Sequence, residues 1–153
     1  MKIKASIINA FIISRAFGCN FYYDTPDKTP KEGINVMGGF YDEKYKPGNT
    51  TDVTAAIAAV AVGSKLLFNI SKERGVYDKD PERHPDAKLL KRLSFDELIS
   101  KSSKLRKPGM NFIFDPRAAK ICKAKGIHVL VTNDLEDIRR LLNNKKVNGT
   151  ILS

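Results

Sequence analysis

The sequence predicts an α/β fold built around a mainly parallel sheet. Helical and strand patterns alternate along the chain, which is typical of this class. The run Leu66–Ile70, apolar except for Asn69, is typical of a strand covered on both faces, as strands in parallel sheets are. Capping residues and glycines stand at the boundaries of the helical patterns. With 153 residues, the chain is expected to form one domain.

The first part of the chain predicts a helix followed by two short strands. Apolar residues at three- and four-residue spacing predict a helix over Lys2–Phe17, and Gly18 is its natural stop. A short strand is expected at Asn20–Tyr23, and a surface loop over Asp24–Gly33. The segment Ile34–Met37 is expected to form a short buried strand.

The middle of the chain predicts an apolar helix followed by a strand. A long loop is expected over Gly38–Thr51, and loops of this length are often functional. The alanine-rich segment Asp52–Ser64 is expected to be a helix in the middle of the fold. After the strand Leu66–Ile70, a loop over Ser71–Pro85 leaves its carboxyl end, where ligands bind in open α/β sheets.

Two helix starts are signalled clearly in the last part of the chain. Ser94–Glu97 has the form of a capping box, and Asp115–Pro116 places a cap before a proline suited to the first helical position. The elements expected here are a strand at Ala87–Arg92, a helix from Ser94 to about Lys101, a basic loop at Ser102–Gly109, a helix from Pro116 to Lys125 that stops at Gly126, a strand at Ile127–Thr132, a helix capped by Asp134 that runs through Asn143, and a strand at Val147–Leu152.

Composition predicts a globular protein of the cytoplasm. Hydrophobic residues make up 42% of the chain and charged residues 29%. No apolar run is long enough to cross a bilayer, so no membrane partner is expected. The apolar stretch Ile3–Phe17 is interrupted by charges and lacks a clear cleavage site, which argues against a signal peptide. Cys19 and Cys122 form no metal-ligand pattern and are interpreted as reduced thiols.

The net charge of +10 has three interpretations: a nucleic-acid partner, a site for polyanionic small molecules such as nucleotides, and a solvated basic surface. The lysines are spread along the chain, apart from Lys101–Lys107 and Lys120–Lys125. No single element interleaves aromatic and basic residues, as a single-strand-binding surface would. No specific nucleic-acid partner is therefore predicted.

The segment Pro47–Asp52 is the strongest local signal for a binding site. Its asparagine, threonines and aspartate are residues that cap helix N-termini, and the free N–H groups there also attract anions such as phosphate. Gly38 and Gly39 precede this segment, and a backbone without side chains lets a ligand approach closely. An ordinary capped helix explains the same residues, so both interpretations stay open.

Several short motifs occur in an order that resembles a known family. They are Gly38-Gly39, Pro47-Gly48, Thr50-Thr51-Asp52, Gly75-Val76-Tyr77, Asp80-Pro81, His84-Pro85-Asp86-Ala87-Lys88, Leu93-Ser94-Phe95-Asp96-Glu97-Leu98, Phe114-Asp115-Pro116 and Asn148-Gly149-Thr150. Each motif is weak alone, but together they resemble the carboxyl-terminal portion of the amino-acid-kinase superfamily, and most of all the archaeal-type uridylate (UMP) kinases. The resemblance covers the chain from about Gly33 to its C-terminus.

This resemblance implies a fold and a set of site residues. The implied fold is a three-layer α/β/α sandwich of the amino-acid-kinase, or carbamate-kinase-like, type, with residues 1–153 as a single truncated domain whose N-terminal part is missing. Asp52 matches the aspartate that orients the phosphate-binding groups. The implied UMP-binding residues are Gly38, Gly39, Tyr45, Lys46, Pro47, Gly48, Asn49, Thr50 and Thr51. The implied ATP-binding residues are Ser71, Lys72, Tyr77 and Asp80.

The function implied by the resemblance is ATP-dependent phosphorylation of UMP to UDP in pyrimidine nucleotide biosynthesis. The implied cofactors are ATP and Mg²⁺, with the ion held by the nucleotide phosphates. No protein metal site is expected, because His84 and His128 have no carboxylate or cysteine partner at ligand spacing. The family resemblance also implies a homo-oligomer.

Three departures from the family pattern bear on activity. Nothing in Met1–Gly18 resembles the family's glycine-rich turn, the loop Phe40–Lys46 is longer than usual, and Arg74 stands where aspartate is usual. We therefore expect the isolated chain to be inactive. The alternatives are a non-catalytic nucleotide-binding or regulatory module, and one half of a split kinase whose N-terminal half is a separate polypeptide.

Individual site residues also have structural interpretations. Tyr77 either stacks on adenine or covers the edge of the core. Asp80, before Pro81, is equally suited to forming a turn. Lys72 either contacts phosphate or is simply solvated. Asp115 is interpreted as a helix cap.

Overall fold

The computed structural model describes residues 2–23, 31–39, 50–104 and 113–153. The chain divides into two compact units, Met1–Ser64 and Lys65–Ser153. Among the described residues, no helix combines the length and apolar character needed to span a membrane.

Over its described residues, the first unit contains two helices and a two-stranded parallel sheet. Its elements are α1 (Lys2–Phe17), β1 (Asn20–Tyr22), β2 (Asn35–Met37) and α2 (Thr51–Ala61). β1 pairs with β2 in parallel, with Phe21 opposite Val36. The predicted first helix and its stop at Gly18 are confirmed, and the N–H of Cys19 closes the helix end by donating to the Ser14 carbonyl at 2.8 Å.

The end of β2 approaches α1 more closely than any side chain would allow. A Cβ on Gly38 would lie 2.6 Å from the backbone N and Cα of Ile7, a separation that real Cβ atoms essentially never show. Beside it, the Gly39 N–H donates to Ser6 Oγ at 2.8 Å. Gly38 therefore has a structural reason to be glycine that is independent of any ligand.

Two expectations about the first unit need correction. The segment Ile34–Met37 was expected to be a buried strand, but the strand begins at Asn35, and Ile34 is 70% exposed. Among the described residues β2 pairs only with β1, so it lies at a sheet edge. The helix expected over Asp52–Ser64 runs instead over Thr51–Ala61. Its inner face is buried, as its composition predicts, at Val53, Ala56, Ile57 and Ala59.

The second unit is built on a four-stranded sheet. Its elements are β3 (Leu66–Ile70), β4 (Arg92–Leu93), α3 (Phe95–Lys104), α4 (Pro116–Lys125), β5 (His128–Thr132), α5 (Glu136–Leu142) and β6 (Thr150–Leu152). The strand order is β3-β5-β6-β4. β3 pairs with β5 in parallel, β4 pairs with β6 in parallel, and β5 and β6 are antiparallel. The prediction of an α/β fold with a mainly parallel sheet is confirmed.

β5 is the apolar centre of this unit. Val129, Leu130 and Val131 of β5 are fully buried, together with Phe114, Ile127 and Leu152. β3 was expected to be covered on both faces, but in the part of the chain that the structure describes it pairs only with β5 and is the outer strand of the sheet. Leu66 is consequently 37% exposed and Ile70 49% exposed.

The helix starts of the second unit follow the predicted capping chemistry. In the capping box, Ser94 Oγ accepts from the Glu97 N–H at 3.2 Å, and Glu97 Oε2 accepts from the Ser94 N–H at 2.9 Å. Asp115 Oδ1 accepts from the Arg117 N–H at 2.8 Å, so its predicted role as a helix cap is confirmed. Asp134 Oδ1 accepts from the Glu136 N–H at 2.9 Å, but the N-cap of α5 is Leu135, one residue after the predicted cap, and Leu135 makes no side-chain capping bond.

Several boundaries in the second unit differ from the prediction. The strand expected at Ala87–Arg92 lies instead at Arg92–Leu93, because its register is fixed by pairing with β6. Ser102, the first residue of the basic loop expected at Ser102–Gly109, belongs to α3, which continues through Lys104; residues 105–109 lie outside the described ranges. The last helix ends at Leu142, one residue before the predicted end at Asn143.

We predict that the two cysteines differ sharply in reactivity. Cys122 is fully buried, and burial raises the pKa of its thiol to about 11, so the reactive thiolate is scarce at neutral pH. Cys19 is half-buried. Iodoacetamide followed by peptide mass spectrometry should modify Cys19 in the native protein, and both cysteines in urea. Cys19→Ser is the matched control, and equal native labelling of the two cysteines would contradict the structure.

Candidate functional site

The predicted acceptor and donor residues lie in different units. The acceptor residues described in the first unit are Gly38, Gly39, Thr50, Thr51 and Asp52. The other predicted acceptor residues, Tyr45, Lys46, Pro47, Gly48 and Asn49, lie outside the described residues. The donor residues Ser71, Lys72, Tyr77 and Asp80 all lie in the second unit.

The acceptor residues of the first unit form the start of α2. Thr50 is extended, with φ −80° and ψ 164°, and its Oγ1 accepts from the Val53 N–H at 3.4 Å. Thr51 and Asp52 occupy the first turn, where the negative charge of Asp52 favours the positive end of the helix dipole. Thr50 is therefore an N-cap, as the structural alternative predicted. Thr51 is exposed and Asp52 is half-buried at the same helix end.

We define the donor loop as residues 71–91, between β3 and β4. Hydrogen bonds of Ser71 hold the start of this loop in place. The Ser71 N–H donates to the Thr132 carbonyl at 2.9 Å, so the loop leaves the sheet beside the carboxyl end of β5. Ser71 Oγ accepts from the Glu73 N–H at 3.4 Å and turns the chain. The side chain of Ser71 thus shapes the first turn of the donor loop.

Lys72 and Asp80 both contact Glu82. Lys72 Nζ lies 2.6 Å from Glu82 Oε1, and this hydrogen bond, with the charge of Glu82, raises the pKa of Lys72. The Lys72 side chain is nevertheless 82% exposed. Asp80 Oδ1 accepts from the Glu82 N–H at 3.0 Å, and the Asp80 carbonyl accepts from the His84 N–H at 2.9 Å. The structure therefore supports the turn-forming interpretation of Asp80.

Tyr77 lies where the donor loop folds back on itself. Its backbone pairs with Leu89 in an antiparallel bridge. The Leu90 N–H donates to the Val76 carbonyl at 2.9 Å, and the Asp78 N–H donates to the Lys88 carbonyl at 3.0 Å. These bonds fix the backbone on both sides of Tyr77, whose side chain is half-buried.

A buried carboxylate that the sequence analysis did not identify lies beneath the donor loop. Asp137, fully buried, accepts from Thr132 Oγ1 at 2.9 Å and from Arg140 Nη1 at 2.9 Å. It also accepts from the N–H groups of Asn148, at 2.8 Å, and Gly149, at 2.9 Å. Burial alone would raise the pKa of Asp137, but these four hydrogen bonds together hold it below its usual value.

The neighbouring residue Thr150 links β6 to the donor loop. Its buried Oγ1 accepts from the Val76 N–H at 2.8 Å and donates to the Leu90 carbonyl at 2.6 Å. A Cβ on Gly75 would collide with Thr150 Oγ1, so glycine is required at this close approach. The motifs Gly75–Tyr77 and Asn148–Thr150 are therefore in direct contact.

Comparison with known proteins decides the family. The model of the Amino acid kinase family matches residues 28–133, which is more than half of the chain. The chain belongs to the amino acid kinase family. The resemblance on which the sequence analysis rested is thereby confirmed.

Its relatives in the amino acid kinase family include archaeal uridylate kinases. The uridylate kinase of Methanobrevibacter smithii is 30% identical over 161 aligned positions, covering 99% of this chain and 69% of that protein. The uridylate kinase of Sulfurisphaera tokodaii is 31% identical, covering 99% of this chain and 70% of that protein. The match falls on the carboxyl-terminal part of the full-length relatives.

A solved structure agrees with the sequence comparison. The uridylate kinase of Archaeoglobus fulgidus superposes with a TM-score of 0.77 at 29% identity, over 99% of this chain and 69% of that one. The fold of the chain is therefore the amino acid kinase fold.

Asp137 escaped the sequence analysis for a physical reason. An acidic residue in the first turn of a helix is ordinary, because it favours the helix dipole there. Its burial depends on Asn148 and Gly149, more than ten residues away. The only sequence signal was the motif Asn148–Thr150, which marked the resemblance without indicating an acceptor for its N–H groups.

We predict that Asp137→Asn destabilises the fold in a pH-dependent way. Hydrogen bonds to charged groups contribute about 1.5–3 kcal/mol each, so we expect a loss of about 3 kcal/mol at pH 7. Because the pKa of Asp137 is lowered on folding, its carboxylate stabilises the fold above about pH 4, and this contribution is lost as the pH falls further. Arg140 is the cation in contact with it, and the same Nη1 of Arg140 also lies 3.5 Å from Asp134 Oδ2.

Urea unfolding at several pH values measures this effect. The difference between wild type and Asp137→Asn should be largest near neutral pH and shrink below about pH 4. Glu136→Gln is the matched control, since Glu136 is exposed and its ion pair with Arg139 is 3.5 Å long. A difference that persists unchanged to pH 2 would contradict the charged role of Asp137.

Proposed function

We propose that this chain provides the nucleotide-binding portion of a UMP kinase, which transfers the terminal phosphoryl group of ATP to UMP and yields UDP and ADP. The observation that carries this proposal is the match over 99% of the chain, at about 30% identity, to proteins named uridylate kinase. The TM-score of 0.77 to the Archaeoglobus fulgidus uridylate kinase supports it. The chain spans about 69% of these relatives, so the activity of a whole relative is part of the proposal.

The donor loop is proposed to hold ATP. The flexible, exposed Lys72 presents a positive charge for the phosphates, and nucleotide phosphate competes with Glu82 for its ammonium group. Tyr77 supplies an aromatic surface for adenine on a backbone held from both sides. Ser71 and Asp80 keep the loop turned in this shape through their hydrogen bonds to backbone N–H groups. All four proposed ATP-binding residues thus have a role in this loop.

The start of α2 is proposed to hold the phosphate of UMP. Thr51 and Asp52 lie in its first turn, where backbone N–H groups and the helix dipole favour an anion. Thr50 keeps the helix end in place as its cap. Gly39, whose N–H donates to Ser6, and the residues Tyr45–Asn49 complete the proposed acceptor site.

Phosphoryl transfer needs little covalent help from a protein, and it depends chiefly on in-line positioning and on charge neutralisation. We propose that Asp52 orients the phosphate-binding groups while the α2 N-terminus holds the acceptor phosphate. Mg²⁺ arrives with the ATP phosphates and supplies neutralising charge. We place this reaction in pyrimidine nucleotide biosynthesis in the cytoplasm, in a homo-oligomer, as the resemblance implies.

We predict that Tyr77→Ala weakens ATP binding. Base–aromatic stacking contributes about 1–3 kcal/mol, so the Kd for ATP·Mg²⁺ should rise by at least about fivefold, while Tyr77→Phe keeps most of the affinity. Isothermal titration calorimetry measures both variants. Tyr23→Ala is the matched control, because Tyr23 is exposed and lies in the first unit. Equal affinities for wild type and Tyr77→Ala would remove the adenine assignment.

We predict that Asp52→Asn lowers turnover and leaves UMP binding nearly unchanged. Losing one well-placed polar group in such a site typically costs about 10²- to 10³-fold in kcat. A coupled assay for ADP and UDP is run on the chain alone and on the chain mixed with the amino-terminal portion of the Methanobrevibacter smithii uridylate kinase, which this chain does not match. Asp96→Asn is the control, since Asp96 pairs with Lys123 on an exposed surface.

The outcomes of this assay separate the alternatives. Turnover that Asp52→Asn lowers by about 10²- to 10³-fold supports the kinase proposal. If the chain binds UMP and ATP but shows no turnover, either alone or in the mixture, the result would favour a non-catalytic nucleotide-binding module. Turnover that is equal in wild type and Asp52→Asn would remove the catalytic role of Asp52.

A further inference from the structure

The segment Ser71–Tyr77, which carries three of the four proposed ATP-binding residues, is held by buried hydrogen bonds at both ends. At its start, the Ser71 N–H donates to the Thr132 carbonyl at 2.9 Å. Near its end, the Val76 N–H donates to Thr150 Oγ1 at 2.8 Å. Thr132 and Thr150 are both fully buried, so neither bond competes with water.

The Thr150 hydroxyl is a two-way link. It accepts from the Val76 N–H and donates its single proton to the Leu90 carbonyl at 2.6 Å. The Leu90 N–H returns to the Val76 carbonyl at 2.9 Å, which closes a ring of three hydrogen bonds. Removing this one hydroxyl would leave a backbone donor and a backbone acceptor without the partner that each now has.

Thr150 is itself held rigidly. As the first residue of β6, it stands opposite Val131 of β5 in the antiparallel pair. The preceding Gly149 N–H donates to the buried Asp137 carboxylate at 2.9 Å. The same carboxylate accepts from Thr132 Oγ1, so one charge holds the residues that anchor both ends of the segment.

The exposed contacts of the donor loop cannot replace this anchor. The ion pairs of this loop lie at the surface: Lys72 pairs with Glu82 and Arg83 with Asp80, and the side chains are 82%, 67%, 83% and 47% exposed, respectively. Exposed ion pairs contribute little to stability and are screened by salt. The backbone bonds on both sides of Tyr77 join the donor loop to itself, whereas the Thr150 hydroxyl ties Val76 to β6.

We propose that Thr150 is a positioning residue for the donor nucleotide: it touches no ligand, and its hydroxyl holds Val76 so that Lys72 and Tyr77 keep one binding geometry. This inference rests on the proposed ATP site of the donor loop. Preorganisation of this kind raises affinity by reducing the ordering that binding would otherwise demand. Thr150 thereby sets ATP affinity from beneath the loop.

The test uses the full chain and three variants. Thr150→Val keeps the shape and removes the hydroxyl, Thr150→Ser keeps the hydroxyl, and Thr54→Val removes a threonine hydroxyl from α2 in the first unit. Amide hydrogen exchange by NMR reports the Val76 N–H directly. The Leu130 N–H in the centre of β5 serves as the internal reference for global opening.

We expect Thr150→Val to accelerate exchange at Val76 at least about tenfold relative to Leu130. The Kd for ATP·Mg²⁺ should rise about tenfold, which corresponds to about 1.4 kcal/mol. Thr150→Ser and Thr54→Val should stay within about twofold of wild type in both measurements. If Thr150 served only the stability of the whole unit, Thr150→Val would accelerate amide exchange at Val76 and at Leu130 together. Thr150→Ser would then restore slow exchange at both positions together.

Each remaining outcome overturns a definite statement. ATP affinity unchanged by Thr150→Val, despite faster exchange at Val76, would overturn the positioning role and leave the proposed function standing. Absence of ATP binding by wild type would overturn the proposed function together with this inference. If Thr150→Val does not fold, amide exchange in the wild-type chain tests the anchor instead. A Val76 N–H that exchanges as fast as in an unstructured peptide would show that Thr150 does not anchor it.

Discussion

The buried carboxylate of Asp137 is the interaction on which the second unit depends. An ionised carboxylate without partners is very costly to bury, so its burial requires that every donor around it be in place. Those donors come from the end of β5, from α5 and from the turn before β6. The Asp137 carboxylate therefore fixes three elements to one another. Displacing any of them would remove some of the hydrogen bonds that offset the cost of burying this charge.

This constraint extends to the proposed ATP site through the ends of neighbouring strands. Thr132 is the last residue of β5 and Thr150 is the first residue of β6. Because these neighbouring strands are antiparallel, both residues lie at the end of the sheet where β5 finishes. The donor loop leaves β3 at the same end of the sheet, where the N–H groups of Ser71 and Val76 donate to Thr132 and Thr150. Because β6 runs antiparallel to β5, its first residue, Thr150, places a buried hydroxyl next to the donor loop that it anchors.

Sequence patterns predicted the features that depend on near neighbours. The capping box at Ser94 and the cap at Asp115 involve residues two or three positions apart, and both were predicted correctly. The exposure of β3, the shift of β4 to Arg92–Leu93 and the partners of Asp137 depend on strand pairing and on contacts distant in the chain. Such pairings are not encoded in local periodicity, so the run Leu66–Ile70, apolar except for Asn69, predicted a covered strand where the described sheet has its outer strand.

The motifs that identify the family serve packing as much as chemistry. Gly38 is required by the close approach of β2 to α1, and Gly75 by the close approach of the donor loop to Thr150. Both would be needed to build this fold whether or not a nucleotide binds. Family membership therefore predicts the shape of the loops with more force than it predicts catalysis, which depends on side chains such as Asp52, Lys72 and Tyr77. Glycines such as Gly38 and Gly75 would be needed for packing even without catalysis, and that is why the Asp52 and Tyr77 variants, rather than further matches to the fold, decide the function.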